Sequence, residues 1–169
     1  MKTRLLMVGM LLAATFAANG APMRAASAPK PVNPKKFDGV ANDALEAMKK
    51  RAAELKITGV AVVSYAQGDS IQGWTSKMAV VGRMKDDPTA TEKGNNLIGI
   101  AYAKSAEMAA TLQDSGTAKR APMTGEFGWQ GGVIAHGKNG YIVVAFSGGK
   151  SEDDVEVSKA GLEVMKAGL

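Results

Sequence analysis

The feature that most constrains the fold is the pair Asn139-Gly140, which stands between two runs of β-branched and aromatic residues at 133–136 and 141–147. Asn-Gly is the preferred pair for a two-residue hairpin turn, because both central residues must tolerate a positive φ. Strands joined by so tight a turn are antiparallel. The last third of the chain therefore predicts an antiparallel hairpin.

The remaining elements follow from hydrophobic periodicity and turn signals. Further strands are predicted at residues 60–65, 71–75 and 78–81. Helices are predicted at residues 38–56, at 96–113 and from 151 onward. Ser151 and Asp154 have the spacing of a capping box at the start of the last helix. The order helix, hairpin, helix, hairpin, helix predicts an α+β domain with a mostly antiparallel sheet covered by helices.

The N-terminal residues have the pattern of a secretory signal peptide. Lys2 and Arg4 precede a short apolar run that ends in small residues, which is the order of a charged start, a hydrophobic stretch and a cleavage site. We expect a periplasmic or secreted protein without stable membrane insertion after signal removal, because the run is short for a bilayer span. The expected divisions are a signal peptide at 1–20, a proline-rich exposed arm at 21–36 and one domain at 37–169.

Two features of the composition narrow the chemistry: the chain has no cysteine and a single histidine, His136. Disulfides, thiolate metal sites, iron–sulfur clusters and cysteine nucleophiles are therefore excluded. A multi-histidine metal site is excluded as well, and no serine stands in a nucleophile-elbow pattern, so no catalytic residues are predicted. The net charge of +5 falls to +3 without Lys2 and Arg4, which is too small to predict nucleic-acid binding.

Two local motifs each leave a choice of interpretation. His136 can be an ordinary surface or core histidine, or an axial ligand to heme iron, which needs only one or two side chains such as His or Met. The run 148–151 stands between a strand and a helix, like a phosphate-binding loop. Val144 occupies a position where that motif needs glycine, so an ordinary strand-to-helix turn is predicted.

The loop at residues 125–132 alternates glycines with Phe127 and Trp129. The glycines would let a flat ring approach the backbone, although the two aromatic side chains can instead simply close the core. Three basic side chains can pair with the carboxylates of such a ring: Arg83, Lys119 and Arg120.

The closing third of the chain resembles the end of the GlcG/HbpS family. The resemblance rests on the glycine-led strand at 131–134, the strand ending in Ser-Gly-Gly at 141–149, the acidic helix start at 152–154 and Ala160-Gly161. A looser likeness covers residues 37–166 and includes Arg83-Met84, which is similar to the family's arginine-methionine step. Lys85-Asp86-Asp87-Pro88 replaces the usual aspartate-glycine-alanine, and the first helix lacks the histidine through which some members ligate heme.

The resemblance implies an alpha-beta sandwich with a helix-flanked, five-stranded, mostly antiparallel sheet, homo-oligomeric assembly and heme binding. We therefore expect an exported protein that captures, buffers or senses heme, with His136 as the metal ligand. The other expected cofactor-binding residues are Arg83, Met84, Lys119, Arg120, Phe127 and Trp129. The alternative is a non-catalytic oligomeric interaction module, or a binder of a small non-heme organic ligand. Whether the chain is an enzyme stays open, since the family label also includes heme degradation.

Overall fold

The computed structural model describes residues 33–169, so the predicted signal peptide and nearly all of the predicted arm lie outside the described residues. The helices are α1 (Pro34–Leu55), α2 (Leu97–Thr111) and α3 (Ser151–Gly168). The strands are β1 (Gly59–Gln67), β2 (Thr75–Val81), β3 (Lys85–Asp86), β4 (Asn95–Asn96), β5 (Gly132–Gly137) and β6 (Gly140–Ser147). In this part of the chain, no helix has the length and apolar character needed to cross a membrane.

The main sheet has the strand order β2-β1-β6-β5, with every neighbouring pair antiparallel. Its two faces are buried under different helices. Alternate residues of β1 such as Ala61 and Val63 pack with α1 and α3, whereas Val60 and Val62 pack with α2. Because both faces are covered, the two central strands are buried along almost their whole length. The predicted α+β class is therefore confirmed.

The prediction of five strands in one sheet is wrong. The main sheet has four strands, and β3 pairs with β4 in a separate two-stranded ribbon. The stretch at 71–74, which was predicted to begin a strand, is part of the loop that leads to β2. Its apolar Ile71 packs from that loop against Met108 and Val143, so burial without strand pairing explains the misleading pattern.

The C-terminal hairpin is confirmed, but its turn lies one residue earlier than predicted. Gly137 pairs with Gly140, so Lys138 and Asn139 are the two turn residues. Gly140 is needed for a different reason than turn geometry. A Cβ at this position would collide with the carbonyl oxygen of Ala66 on β1, because the two backbones approach closely there.

The helix starts differ from the predictions in two places. The first helix begins at Pro34, before the predicted start at residue 38, with the Asn33 side chain accepting a hydrogen bond from the Lys35 amide at 3.0 Å. The predicted capping box of α3 is wrong, because its N-cap is Lys150, which makes no side-chain capping bond. Asp154 instead forms a buried ion pair with Lys104.

Candidate functional site

A cavity of about 290 Å³ lies at the end of the sheet where β6 runs into α3. We call it the Gly148 cavity. Its wall includes Arg83 from the corner after β2, Lys104 from α2 and Trp129 from the glycine-rich loop. The turn at 147–149 and the first residues of α3, including Asp154, complete the wall. The corner after β2, helix α2 and the glycine-rich loop thus meet at the turn between β6 and α3, which the sequence predicted to be an ordinary strand-to-helix turn.

A buried ion pair forms one side of this cavity. Lys104 Nζ lies 2.8 Å from Asp154 Oδ2, and each residue is 3% exposed. Lys104 also donates to the carbonyl oxygen of Phe146 at 2.8 Å, and Asp154 Oδ1 accepts from the Gly149 amide at 2.8 Å. These bonds matter because a buried charge is tolerated only when it is paired and hydrogen-bonded.

Burial is the largest influence on both members of the pair. Desolvation lowers the pKa of Lys104 and raises the pKa of Asp154, and the attraction between the two charges offsets part of each shift. Ionisable groups with perturbed pKa values in a cleft are frequent at functional sites, although structural ion pairs share this property. The ion pair therefore links α2 to α3 and is also a candidate part of a ligand-binding site.

The loop that covers this pair depends on a glycine. Gly131 has a φ of 131°, and a Cβ at this position would collide with Lys104 Nζ. The carbonyl oxygen of Gly131 accepts hydrogen bonds from the Phe146 amide at 3.0 Å and from Ser158 Oγ at 2.7 Å. The glycine-rich loop is therefore held tightly where it passes over the ion pair.

Arg83, another lining residue of the cavity, joins several segments through hydrogen bonds. Its guanidinium donates to Asp86 Oδ1 at 2.7 Å, to the Gly148 carbonyl at 2.9 Å and to both the carbonyl and hydroxyl oxygens of Thr58. These four bonds leave one of its five N–H groups for a ligand. Hydrogen bonds from Asn95 and then from Arg83 hold the pKa of Asp86 below its ordinary value.

One of the lining residues, Trp129, belongs to a pair of contacting aromatic rings. Phe127 and Trp129 have ring centroids 4.8 Å apart with an angle of 30° between their planes. Trp129 lines the cavity and is 49% exposed. Met84 is also exposed and lines an adjoining cavity of about 400 Å³, which shares Asp86 and Asn95 with the first. Four of the seven predicted residues, Arg83, Met84, Phe127 and Trp129, therefore surround one region.

The two other predicted basic residues lie on the exposed loop that leads to the aromatic pair. Arg120 is already engaged, because its guanidinium makes two bonds of 2.7 Å to the Glu126 carboxylate. That interaction lowers the pKa of Glu126 to about 2. Arg120 lines a separate cavity of about 130 Å³ with Glu107. Lys119 is exposed and does not line the Gly148 cavity.

His136 lies near the far end of β5, away from the Gly148 cavity. Five residues separate it from Gly131, which corresponds to roughly 16 Å along a strand. Its ring meets the Tyr141 ring edge-on, with centroids 4.6 Å apart. The structure thus separates His136 from the other predicted cofactor-binding residues. Within residues 33–169, no group of three or more histidine or acidic side chains is placed to hold a metal ion.

Another cavity, of about 270 Å³, lies at this hairpin end of the sheet. We call it the Tyr65 cavity. Tyr65 is 5% exposed, and its hydroxyl has no hydrogen-bond partner among the described residues. Strand alternation places Tyr65 and Ile142 on the face covered by α1 and α3, and places the rings of His136 and Tyr141 on the opposite face.

Sequence reasoning missed Lys104, Asp154 and Tyr65. A signal for Lys104 was present, since it continues the three- and four-residue spacing of Leu97, Ala101 and Met108 along the buried stripe of α2. A lysine on such a stripe needs a buried partner. No comparable local signal identifies Asp154 as that partner, because 50 positions separate the two residues.

Among the comparisons with known proteins, the solved structures share the fold of this chain. No family model matches the chain, and no curated protein matches it. A solved structure of PduOC in complex with heme has a TM-score of 0.51 and 14% identity, covering 79% of this chain and 94% of that one. The Klebsiella pneumoniae protein ORFY, of family model DUF336, has a TM-score of 0.51 and 16% identity, covering 76% of this chain and 89% of that one. These identities show the fold alone, and they support the family fold that the sequence resemblance implied.

Proposed function

We propose that this protein binds heme at the mouth of the Gly148 cavity, with the ring against Trp129 and Phe127 and a carboxylate edge toward Lys104 and Arg83. The observation that carries the proposal is the exposed aromatic pair beside a cavity whose wall includes two cations, Lys104 and Arg83, each ion-paired with a carboxylate but retaining one uncommitted N–H group. The shared fold with PduOC in its heme complex supports the same ligand class. Binding of this kind serves capture, buffering or sensing of heme.

The residues present fit the flat ring and its carboxylates. Aromatic side chains favour stacking on a planar ligand, and Leu97 and Ile100 add apolar wall. Lys104 uses two of its three N–H groups within the protein, so one remains for a carboxylate, as one remains on Arg83. The cavity volume is near the lower limit for drug-sized ligands, so most of the ring would lie outside it, against the aromatic pair.

The side chains available to the iron differ between the two ends of the sheet. Met84 offers a thioether beside the Gly148 cavity, whereas His136 offers an imidazole at the far end. Both residue types are known heme ligands. When bound, heme supplies redox and small-molecule-binding chemistry at its iron. We assign the ligand role to Met84, and the sequence-based prediction for His136 stays open to the variant test below.

Export and homo-oligomeric assembly remain part of this proposal. Export is supported by the signal-like start of the chain. Assembly is supported by the family resemblance and by exposed apolar side chains such as Val80 on the edge strand β2. An exported heme binder can act without a catalytic residue of its own.

Hemin titration of the mature protein tests the proposal. We expect a saturable Soret band, and we expect Trp129→Ala to weaken the affinity roughly tenfold because stacking area is lost. Trp74→Ala is the matched control, since Trp74 is also exposed but does not line the cavity. Absorbance that only follows free hemin, or equal losses in the two variants, would contradict the proposal.

The iron ligand is tested by two further variants under the same conditions. Met84→Ala should shift the Soret and visible bands, because the thioether that would hold the iron is lost. His136→Ala should leave both the spectrum and the affinity unchanged. The opposite result would move the bound heme to the hairpin end of the sheet and would support the sequence-based prediction instead.

A further inference from the structure

The hydroxyl of Tyr65 lacks the partner that buried tyrosine hydroxyls normally find. It is buried among the described residues without a hydrogen bond, whereas the hydroxyl of Tyr102 lies 3.2 Å from Ser76 Oγ. Buried polar atoms are nearly always satisfied by protein, water or a ligand. Tyr65 is one of the residues that line a cavity, so a molecule that enters beside its hydroxyl would supply the missing acceptor.

The charge around this cavity favours an anionic ligand. Lys138 in the hairpin turn and Lys166 near the end of α3 both line it, as does His136, and no acidic side chain is among the lining residues. Lys166 has an exposed partner, Glu163, at 3.3 Å on the helix surface, so its engagement is weak. Burial raises the pKa of Tyr65, which keeps the phenol protonated and able to donate at neutral pH.

The shape of the cavity favours a small molecule with an apolar body. The side chains of Ile142 and Leu169 contribute apolar wall. A volume of about 270 Å³ lies below the usual range for drug-sized ligands. Tyr65 and Ile142 occupy paired positions on β1 and β6, so the donor and the apolar surface are held by the rigid centre of the sheet.

We propose that the Tyr65 cavity binds a small carboxylic acid. Its carboxylate accepts the hydrogen bond from the Tyr65 hydroxyl, Lys138 and Lys166 attract its charge, and its apolar body packs on Ile142. This site lies at the opposite end of the sheet from the proposed heme site and is independent of it.

Benzoate is a suitable probe, and its binding can be followed by amide chemical shifts and calorimetry. Tyr65→Phe removes only the hydroxyl and should weaken benzoate binding about tenfold or more, since hydrogen bonds to charged groups are strong. Tyr141→Phe is the matched control, since Tyr141 lies on the neighbouring strand β6 with its side chain on the opposite face of the sheet, and it should leave benzoate binding unchanged. Benzyl alcohol, which has the ring but no charge, should bind far more weakly than benzoate.

Two outcomes would overturn this proposal. One is the absence of saturable benzoate binding to the wild-type protein. The other is equal affinity in Tyr65→Phe and wild type, which would mean that water satisfies the hydroxyl. Hemin titration of Tyr65→Phe distinguishes the two sites, because heme binding at the Gly148 cavity should be unaffected by this substitution.

Discussion

The two ends of the sheet treat their buried polar groups in opposite ways. At the Gly148 end, the buried Lys104 and Asp154 and the partly exposed Arg83 are each held by several bonds that join α2, α3 and the corner after β2. At the hairpin end, the Tyr65 hydroxyl is buried without a partner. Side chains in a hydrogen-bonded network form a rigid cavity wall and keep only a few N–H groups free for a ligand. A buried donor without a partner, in contrast, can be satisfied by an acceptor on a ligand.

The largest expected effect on stability comes from removing one member of the Lys104–Asp154 ion pair. Lys104→Met should lower the free energy of unfolding by about 3–5 kcal/mol at pH 7, because Asp154 is left as an uncompensated buried charge. Urea unfolding measures this loss. Lys49→Met is the matched control, since Lys49 belongs to an exposed helical ion pair with Glu46, and removing that pair should change stability by about 0.5 kcal/mol or less.

The same variant has a predictable pH dependence. Burial already raises the pKa of Asp154, and loss of Lys104 raises it further. A group whose pKa is higher in the folded than in the unfolded protein stabilises the folded state fully at pH values below its unfolded pKa. This stabilisation is lost as the pH rises through the folded-state pKa. Lys104→Met should therefore recover stability relative to wild type as pH falls from 7 toward 5. The double variant Lys104→Met/Asp154→Leu should recover at pH 7, and a double variant as unstable as the single one would contradict the account.

A more local effect is expected at the exposed loop beside the aromatic pair. The Arg120 hydrogen bonds lower the pKa of Glu126 to about 2. A carboxyl group whose pKa is lower in the folded than in the unfolded protein stabilises the folded state at pH values above its unfolded pKa. This stabilisation is lost as the pH falls through the folded-state pKa, so the loop should loosen between about pH 4.5 and pH 2. Fluorescence in Trp74→Phe reports on Trp129 alone. Arg120→Gln should move the transition toward pH 4.5, and an unmoved transition would disprove the assignment.

The smallest expected effect on stability comes from removing the unpartnered Tyr65 hydroxyl at the hairpin end of the sheet. Tyr65→Phe should change the free energy of unfolding by less than about 0.5 kcal/mol or raise it slightly, because the hydroxyl makes no bond that would be lost. Thermal unfolding of the ligand-free protein measures this. A loss of 1 kcal/mol or more would show that the hydroxyl has a structural partner after all.

Local chemistry explains which parts of the fold were predictable. The helix predicted at residues 96–113 is α2, and the strands predicted at 133–136 and 141–147 are β5 and β6. Periodicity and turn residues act between near neighbours in the chain, so they are legible in a single sequence. The prediction of a fifth strand was wrong because Ile71 is partly buried from a loop, and the sequence pattern of a packed apolar residue is the same whether or not a strand forms.

The candidate site was only partly predictable for the same reason. Arg83 and Trp129 were identified by residue type, and the fold brings them to one cavity. Asp154 has the local spacing of a capping residue, but its tertiary partner Lys104 decides where the carboxylate lies. The isolation of the Tyr65 hydroxyl depends on every group around it and therefore has no local signature.

The central claim is that heme binds at the Gly148 end of the sheet. The most direct measurement is an amide chemical-shift map of the protein without its predicted signal peptide, titrated with gallium protoporphyrin IX, a diamagnetic counterpart of heme. The account predicts shifts concentrated at residues 127–131 and 147–151, with little change around the hairpin turn. Shifts concentrated at residues 136–141, or no saturable shifts at all, would contradict it.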